Sequence, residues 1–279
     1  MAEITAAQVK KLRDATNVSM MECKKALVKT GGDKDKAMTL LREQGLAIAG
    51  KRAEKSANQG LVAAEVLEGG KVGVMIEVNC ETDFVARNEN FQQFVAGLLV
   101  KARDHADGEL AEAVKDELAD QIAAIGENMK VRRNVRYTLQ GPGTIASYIH
   151  LGGKIGILLE MGCGQDATPD KPEFKELVKD ITLHIAASNP QYLDRSEVPA
   201  DVLDAERAIF AKQAEGKPAN IIEKIVDGKI EKFYSQICLR EQPFVKDADQ
   251  TVTELLDKVG QTLGDKLEIR RYARYQIGA

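Results

Sequence analysis

The sequence predicts an α+β protein: a three-helix N-terminal module, then a core of two duplicated α+β units, the second interrupted by a helical hairpin. Three observations carry this expectation. The first fifty residues hold three helix starts, a strand-like segment recurs 83 residues further on, and the second copy is longer than the first by 55 residues of helical periodicity.

In residues 1–50, Thr5 with Gln8 and Ser19 with Glu22 fit the capping box, and Asp33 after Gly31-Gly32 is a third N-cap. Val9, Leu12 and Ala15 repeat at helical spacing, as do Cys23, Ala26 and Leu27, then Ala37, Leu40 and Leu41. Three short helices packed on one another leave little room for a pocket, so the module reads as an interaction unit. A polar linker, 51–59, follows.

Residues 69–83 read GGKVGVMIEVNCETD and residues 152–166 read GGKIGILLEMGCGQD, with seven of fifteen positions identical and five apolar exchanges. A second match, IGENMKVRRNVRY at 125–137 against LGDKLEIRRYARY at 263–275, has an offset of 138. A duplication with an insertion explains both offsets. Within the first copy, 60–140, Val72, Val74, Ile76 and Val78 alternate with Gly73, Met75, Glu77 and Asn79, the period of a half-buried strand. The Glu68-Gly69-Gly70 break pairs it with 61–67 as a hairpin. Asn88 caps a helix carrying Phe91, Phe94, Val95, Leu98 and Leu99; a helix over 109–124 and a strand over 129–138 complete the unit. The second copy, 141–275, repeats the plan: hairpin 145–161, helices 171–188 and 250–259, strand 266–275. Each copy is thus expected to hold three antiparallel strands with helices on one face.

The insertion occupies 190–240. Helical stretches 200–215 and 219–235, separated by Gly216-Lys217-Pro218, form an αα-hairpin. Its stripe of Ile221, Ile222, Ile225, Val226 and Phe233 packs either on its own partner helix or on another protein.

Composition narrows the function. There are 39 basic and 43 acidic side chains, 5% aromatics, no Trp and no dense basic run, which argues against a nucleic-acid groove. No apolar run reaches the roughly 18 residues of a spanning helix, and MAEITAAQVK has no apolar core of a secretory signal. A soluble cytoplasmic protein without membrane or direct nucleic-acid contact is expected. Cys23, Cys80, Cys163 and Cys238 are far apart, without CxxC, and read as buried thiols. The three histidines stand at no ligand spacing, and no nucleophile or phosphate-loop motif is present. Neither an enzyme nor a metal or cofactor site is expected.

The copies diverge after Asp83 and Asp166. The first continues Phe84-Val85-Ala86-Arg87, the second Ala167-Thr168-Pro169. Phe84 lies outside both the strand alternation and the helical stripe. It either staples onto the following helix or anchors an interface.

Thr82-Asp83-Phe84-Val85 after a GGKVGVMIEVNC strand resembles the signature of the bacterial elongation factor Ts family, and LRDATNVSMMECKKAL at 12–27 resembles its other signature. Glu206-Arg207, Gly216-Lys217-Pro218, Glu223-Lys224 and Gln242-Pro243-Phe244-Val245 fall in the family's order, so the resemblance covers the whole chain. It implies a UBA-like fold for the N-terminal module and a guanine nucleotide exchange factor for elongation factor Tu. The loop's Asp83 and Phe84, with Thr82 and Val85, would wedge beside the GTPase nucleotide and magnesium site and release GDP. It further implies GTPase contacts for Arg13, Met20, Met21 and Lys24, for Ile125 and Gly126 near the wedge, and for His150 with a more distant domain. Read from the residues alone, the methionine pair is equally helix packing, and a lone histidine on a strand is more often structural. The inserted hairpin resembles the family's dimerisation coiled coil, so a homodimer, a dimer of heterodimers and a one-to-one complex all fit. Two departures stand out: Asn17 and Ser19 occupy positions where the family often has glycines, and the family usually continues into a C-terminal helix where this sequence has only 276–279. The alternative reading is a non-exchange interaction scaffold or chaperone-like subunit. An enzyme using Cys80 or Cys163 is weaker still, since neither has a histidine in its local motif.

Overall fold

The computed structural model describes residues 4–16 and 18–279, so Asn17 lies outside the described residues. Helices α1 (Ala6–Thr16), α2 (Met20–Lys29) and α3 (Lys34–Arg52) bury Val9, Leu12, Cys23, Ala26, Leu27, Ala37 and Leu41 among themselves. Ala15 is exposed and leaves that stripe. The box at Thr5 is complete: Gln8 Oε1 accepts from Thr5 N at 2.9 Å, and Thr5 Oγ1 from Gln8 N at 3.3 Å. Only half of the expected box forms at Ser19, because the Glu22 carboxylate turns to Lys25 instead. Helix α3 does not stop at Gly50. Lys51 and Arg52 extend it, two cations in the last turn where the helix dipole favours them.

The first copy comprises β1 (Gln59–Leu67), β2 (Val72–Cys80), a single turn α4 (Asp83–Ala86), α5 (Glu89–Lys101), α6 (Leu110–Ala113), α7 (Lys115–Ile125) and β3 (Met129–Thr138). The single helix expected over 109–124 is broken at Val114, which is buried and caps α7. The second copy comprises β4 (Gly143–His150), β5 (Ile155–Cys163), α8 (Pro172–Ser188), α9 (Ala200–Gln213), α10 (Ala219–Ile237), the short β6 (Pro243–Phe244) and β7 (Asp247–Thr251), α11 (Val252–Leu263) and β8 (Leu267–Gln276). The helix expected from 250 begins at Val252, where Thr251 and Glu254 close a capping box. Both main sheets are antiparallel, ordered β1-β2-β3 and β4-β5-β8, and the fold is α+β.

Strand β2 is buried at every position, not on one face as its alternation predicts. Ile76, Val78 and Cys80 face the helices, while Met75 faces the other sheet together with Val62, Ile145 and Leu158. The polar-looking positions are covered because the two copies pack on each other about a pseudo-dyad. Val62 N donates to Gly153 O at 2.7 Å and Ile145 N donates to Gly70 O at 2.7 Å, positions related by the repeat offset. Gly70 and Gly153 hold φ of 95° and 94°, a left-handed turn that a side chain resists. At the centre of each sheet lies a fully buried carboxylate. Glu77 accepts from Arg132 and Arg133, and Glu160 from Arg270 and Arg271, each opposite a register shift of the ladder. Unpaired, such a charge in a dry interior is strongly unfavourable; two guanidinium groups on each compensate it.

The α9–α10 hairpin buries Val226 and half-buries Ile222, Ile225 and Phe233, so most of its stripe packs within the chain, while Ile209 and Ile221 stay exposed. Arg195 ties its base by hydrogen bonds to Glu231 and Glu241. All four cysteines are buried free thiols. No described helix is long and apolar enough to cross a membrane.

Candidate protein-interaction site

Strand β2 ends at Cys80 and the chain must turn before α5. Thr82, in extended geometry, caps α4: its Oγ1 accepts from Val85 N at 3.3 Å. One helical turn then carries four side chains in four directions. Ala86 is buried and Val85 half-buried against the helix-facing core, while Asp83 pairs with Arg87 at 3.1 Å on the surface. Phe84 points out of the molecule and is 83% exposed, more than any other large apolar side chain described. It is therefore no staple on α5. Burying such a ring elsewhere gains about 2 kcal/mol.

The root of the loop is fastened from two other segments. Glu127, just after α7, accepts from Thr82 N at 3.0 Å and from Thr82 Oγ1 at 2.7 Å. Glu81 accepts from Asn128 N at 2.6 Å and pairs with Arg52 at the end of α3, at 3.1 Å. The Asn128 amide, foremost, and Arg52 hold the Glu81 carboxyl below its ordinary range. The Cys80 thiol donates to Thr82 O at 3.2 Å, and burial pushes it up to about 12, so it stays a neutral donor.

Ile125 and Gly126 are joined to this loop through Glu127. Ile125 is half-buried beside Phe94, and Gly126 closes α7 in the left-handed region at φ 83°. Met20 and Met21 do not pack between helices: they are 42% and 64% exposed. Met21, Lys24 and Val28 lie at i, i+3 and i+7 on the outer face of α2, and Arg13 is exposed in the last turn of α1. His150 lies apart, at the end of β4 in the second copy. Its Nδ1 is 2.8 Å from Tyr148 Oη, and it is flanked by exposed Ile149 and Leu151. Among the described residues no three His, Cys, Asp or Glu side chains converge as metal ligands.

Sequence reasoning passed over Glu127 and the Arg52–Glu81 pair. A signal for the former was present, because Glu127 aligns with Asp265 in the second internal match and the acidic character is kept.

A family model described as Elongation factor TS matches residues 81–279, from the residue before Thr82 through β3 of the first sheet and the whole of the second. The chain belongs to the elongation factor Ts family. The elongation factor Ts of Trichlorobacter lovleyi is 43% identical over 289 aligned residues, covering 99% of this chain and 93% of the relative. That of Symbiobacterium thermophilum is 44% identical, covering 100% and 93%, and that of Nitratiruptor sp. 42%, covering 99% and 93%. Similarity of this extent includes the three helices before residue 81. Elongation factor Ts proteins serve protein biosynthesis as nucleotide exchange factors in translation elongation.

Proposed function

We propose that this chain is the exchange factor of elongation factor Tu, and that Phe84 is the wedge that drives GDP out. The exposure of Phe84 at the tip of a clamped turn is the observation that carries this reading. A ring held out of the core in water has apolar area to offer a partner, and Asp83 beside it offers a charged contact. The GTPase bound to this loop and the GTPase bound to GDP prefer different conformations around the nucleotide and its magnesium. Each ligand therefore lowers the affinity for the other by the same factor, and excess GTP completes the exchange. No bond is made or broken on this chain.

Thr82 and Val85 would hold the wedge and Ile125-Gly126 would border it. Arg13, Met20, Met21 and Lys24 of the N-terminal module, residues 1–50, would dock on the GTPase domain, and His150 of the 141–275 unit on a more distant domain. Ile209 and Ile221 on the inserted hairpin are apolar area for a second copy of the chain, in keeping with dimerisation. The test is release of a fluorescent GDP analogue from elongation factor Tu in the presence of excess unlabelled nucleotide. Acceleration that rises with the concentration of this chain is expected. Release at the spontaneous rate would sink the proposal.

A further inference from the structure

The clamp on the Phe84 loop is built twice. Asp265, which the 138-residue offset aligns with Glu127, accepts from Gln165 N at 3.1 Å, and Gln165 is the residue that the 83-residue offset aligns with Thr82. Asp265 also accepts from Gly164 N at 2.9 Å and from Thr168 Oγ1 at 2.5 Å. In both copies the carboxylate directly follows a left-handed glycine that closes the helix before the third strand, Gly126 at φ 83° and Gly264 at φ 64°. The device belongs to the fold. In the second copy it steadies a loop with Ala167 at the position of Phe84; in the first it steadies the loop that presents the exposed ring.

We propose that Glu127 is a positioning residue for nucleotide exchange, an inference that rests on Phe84 being the wedge. A four-residue turn is far too short to be stable on its own, and the ring it carries has almost no packing to fix it. Its direction is therefore set at the root. The Thr82 hydroxyl accepts from Val85 N while donating to Glu127, and Thr82 N donates to the other carboxylate oxygen. Without the carboxylate, two donors lose their acceptor, the hydroxyl is free to rotate away from its capping role, and the turn spends less time in the conformation seen here. The apparent affinity of the loop then falls by the fraction of time it is competent, whereas the bound complex, once formed, contains the same turn.

The experiment is release of the fluorescent GDP analogue over a range of concentrations of the 279-residue chain, for the wild type and for Glu127→Ala, Glu127→Gln, Asp265→Ala and Phe84→Ala. For Glu127→Ala the half-maximal concentration is expected to rise about tenfold, with the maximal rate within about twofold of wild type. Glu127→Gln keeps one acceptor oxygen and falls between, and it serves alone should the alanine variant not fold. Asp265→Ala loses the equivalent clamp yet follows the wild type. Two results overturn the positioning role and leave the wedge standing: wild-type behaviour of both Glu127 variants beside a slowed Phe84→Ala, or an equal shift in Asp265→Ala, which would mark the clamp as structural only. An undiminished Phe84→Ala removes the wedge and the positioning role together.

Discussion

The guanidinium of Arg133 lies 4.0 Å from the centre of the Tyr275 ring, across the boundary between the two sheets. Arg271 returns the contact onto Tyr137 at the same 4.0 Å. Each of these arginines also holds the buried glutamate of its own sheet through Nε, at 2.7 Å. One side chain thus neutralises a buried charge and joins the halves. Truncating Arg133 to Ala leaves Glu77 with Arg132 and the Asn79 amide, both on Oε1, and breaking a buried pair costs about 3 kcal/mol. Arg271→Ala should cost about as much by the same symmetry. Urea unfolding measures both; a loss below about 1 kcal/mol in either would contradict the paired arrangement.

The sheets approach closely enough to require glycine. A Cβ on Gly73 would come 2.5 Å from Ile145 Cγ2 and 2.8 Å from Leu158 Cδ1. Gly156, its repeat partner, faces Val62 and Met75 in the same way. Gly73→Ala should destabilise by about 2 kcal/mol through overpacking, read as a lower urea midpoint. An unchanged midpoint would mean that the sheets separate freely.

His184 is fully buried on α8. Its Nδ1 accepts from Val245 N at 3.1 Å, so the proton sits on Nε2 and is donated to Gln242 Oε1 at 2.9 Å. Phe244 packs beside the ring, and Gln242 in turn donates to Gln236 O, so no carboxylate among these neighbours offsets a charge. Burial therefore holds the imidazole below its ordinary range. Below about pH 6.5 the unfolded chain takes up a proton that the folded one refuses, so stability should fall with pH through that window and level off below the folded value. Urea titrations between pH 7.5 and 5 should show this slope in the wild type and a reduced one in His184→Ala. Equal slopes would show that His184 does not contribute.

The outer face of α2 exposes Met21 and Val28 at 64% and 55%. Met21→Asp should leave unfolding unchanged within about 0.5 kcal/mol yet weaken binding to elongation factor Tu about tenfold by calorimetry. Unaltered affinity would place the docking surface elsewhere.

Much of this fold is legible in the sequence because a duplication supplies its own comparison. The shared GGK-G-E-C-D residues locate both central strands, and the aromatic present in one copy alone singles out Phe84. What stays hidden is long-range. Alternation along 72–79 predicts one solvent face, and nothing local says that the second copy covers it. Glu77 and Glu160 read as outward polar positions for the same reason, although their arginine partners sit more than fifty residues away. Gly50 looks like a helix end, but the residues after it are good helix formers and α3 runs to Arg52, where it meets Glu81. The Thr82–Glu127 clamp spans 45 residues and leaves only one trace in the chain, an acidic residue repeated after a glycine.

The wedge itself is tested most directly by Phe84→Ala, with stability and stimulated GDP release measured on the same preparation. Because the ring is 83% exposed, unfolding should move by less than about 0.5 kcal/mol. Losing about 2 kcal/mol of ring burial in the complex should slow release about thirtyfold. Release at the wild-type rate from an equally stable variant would contradict the role assigned to Phe84.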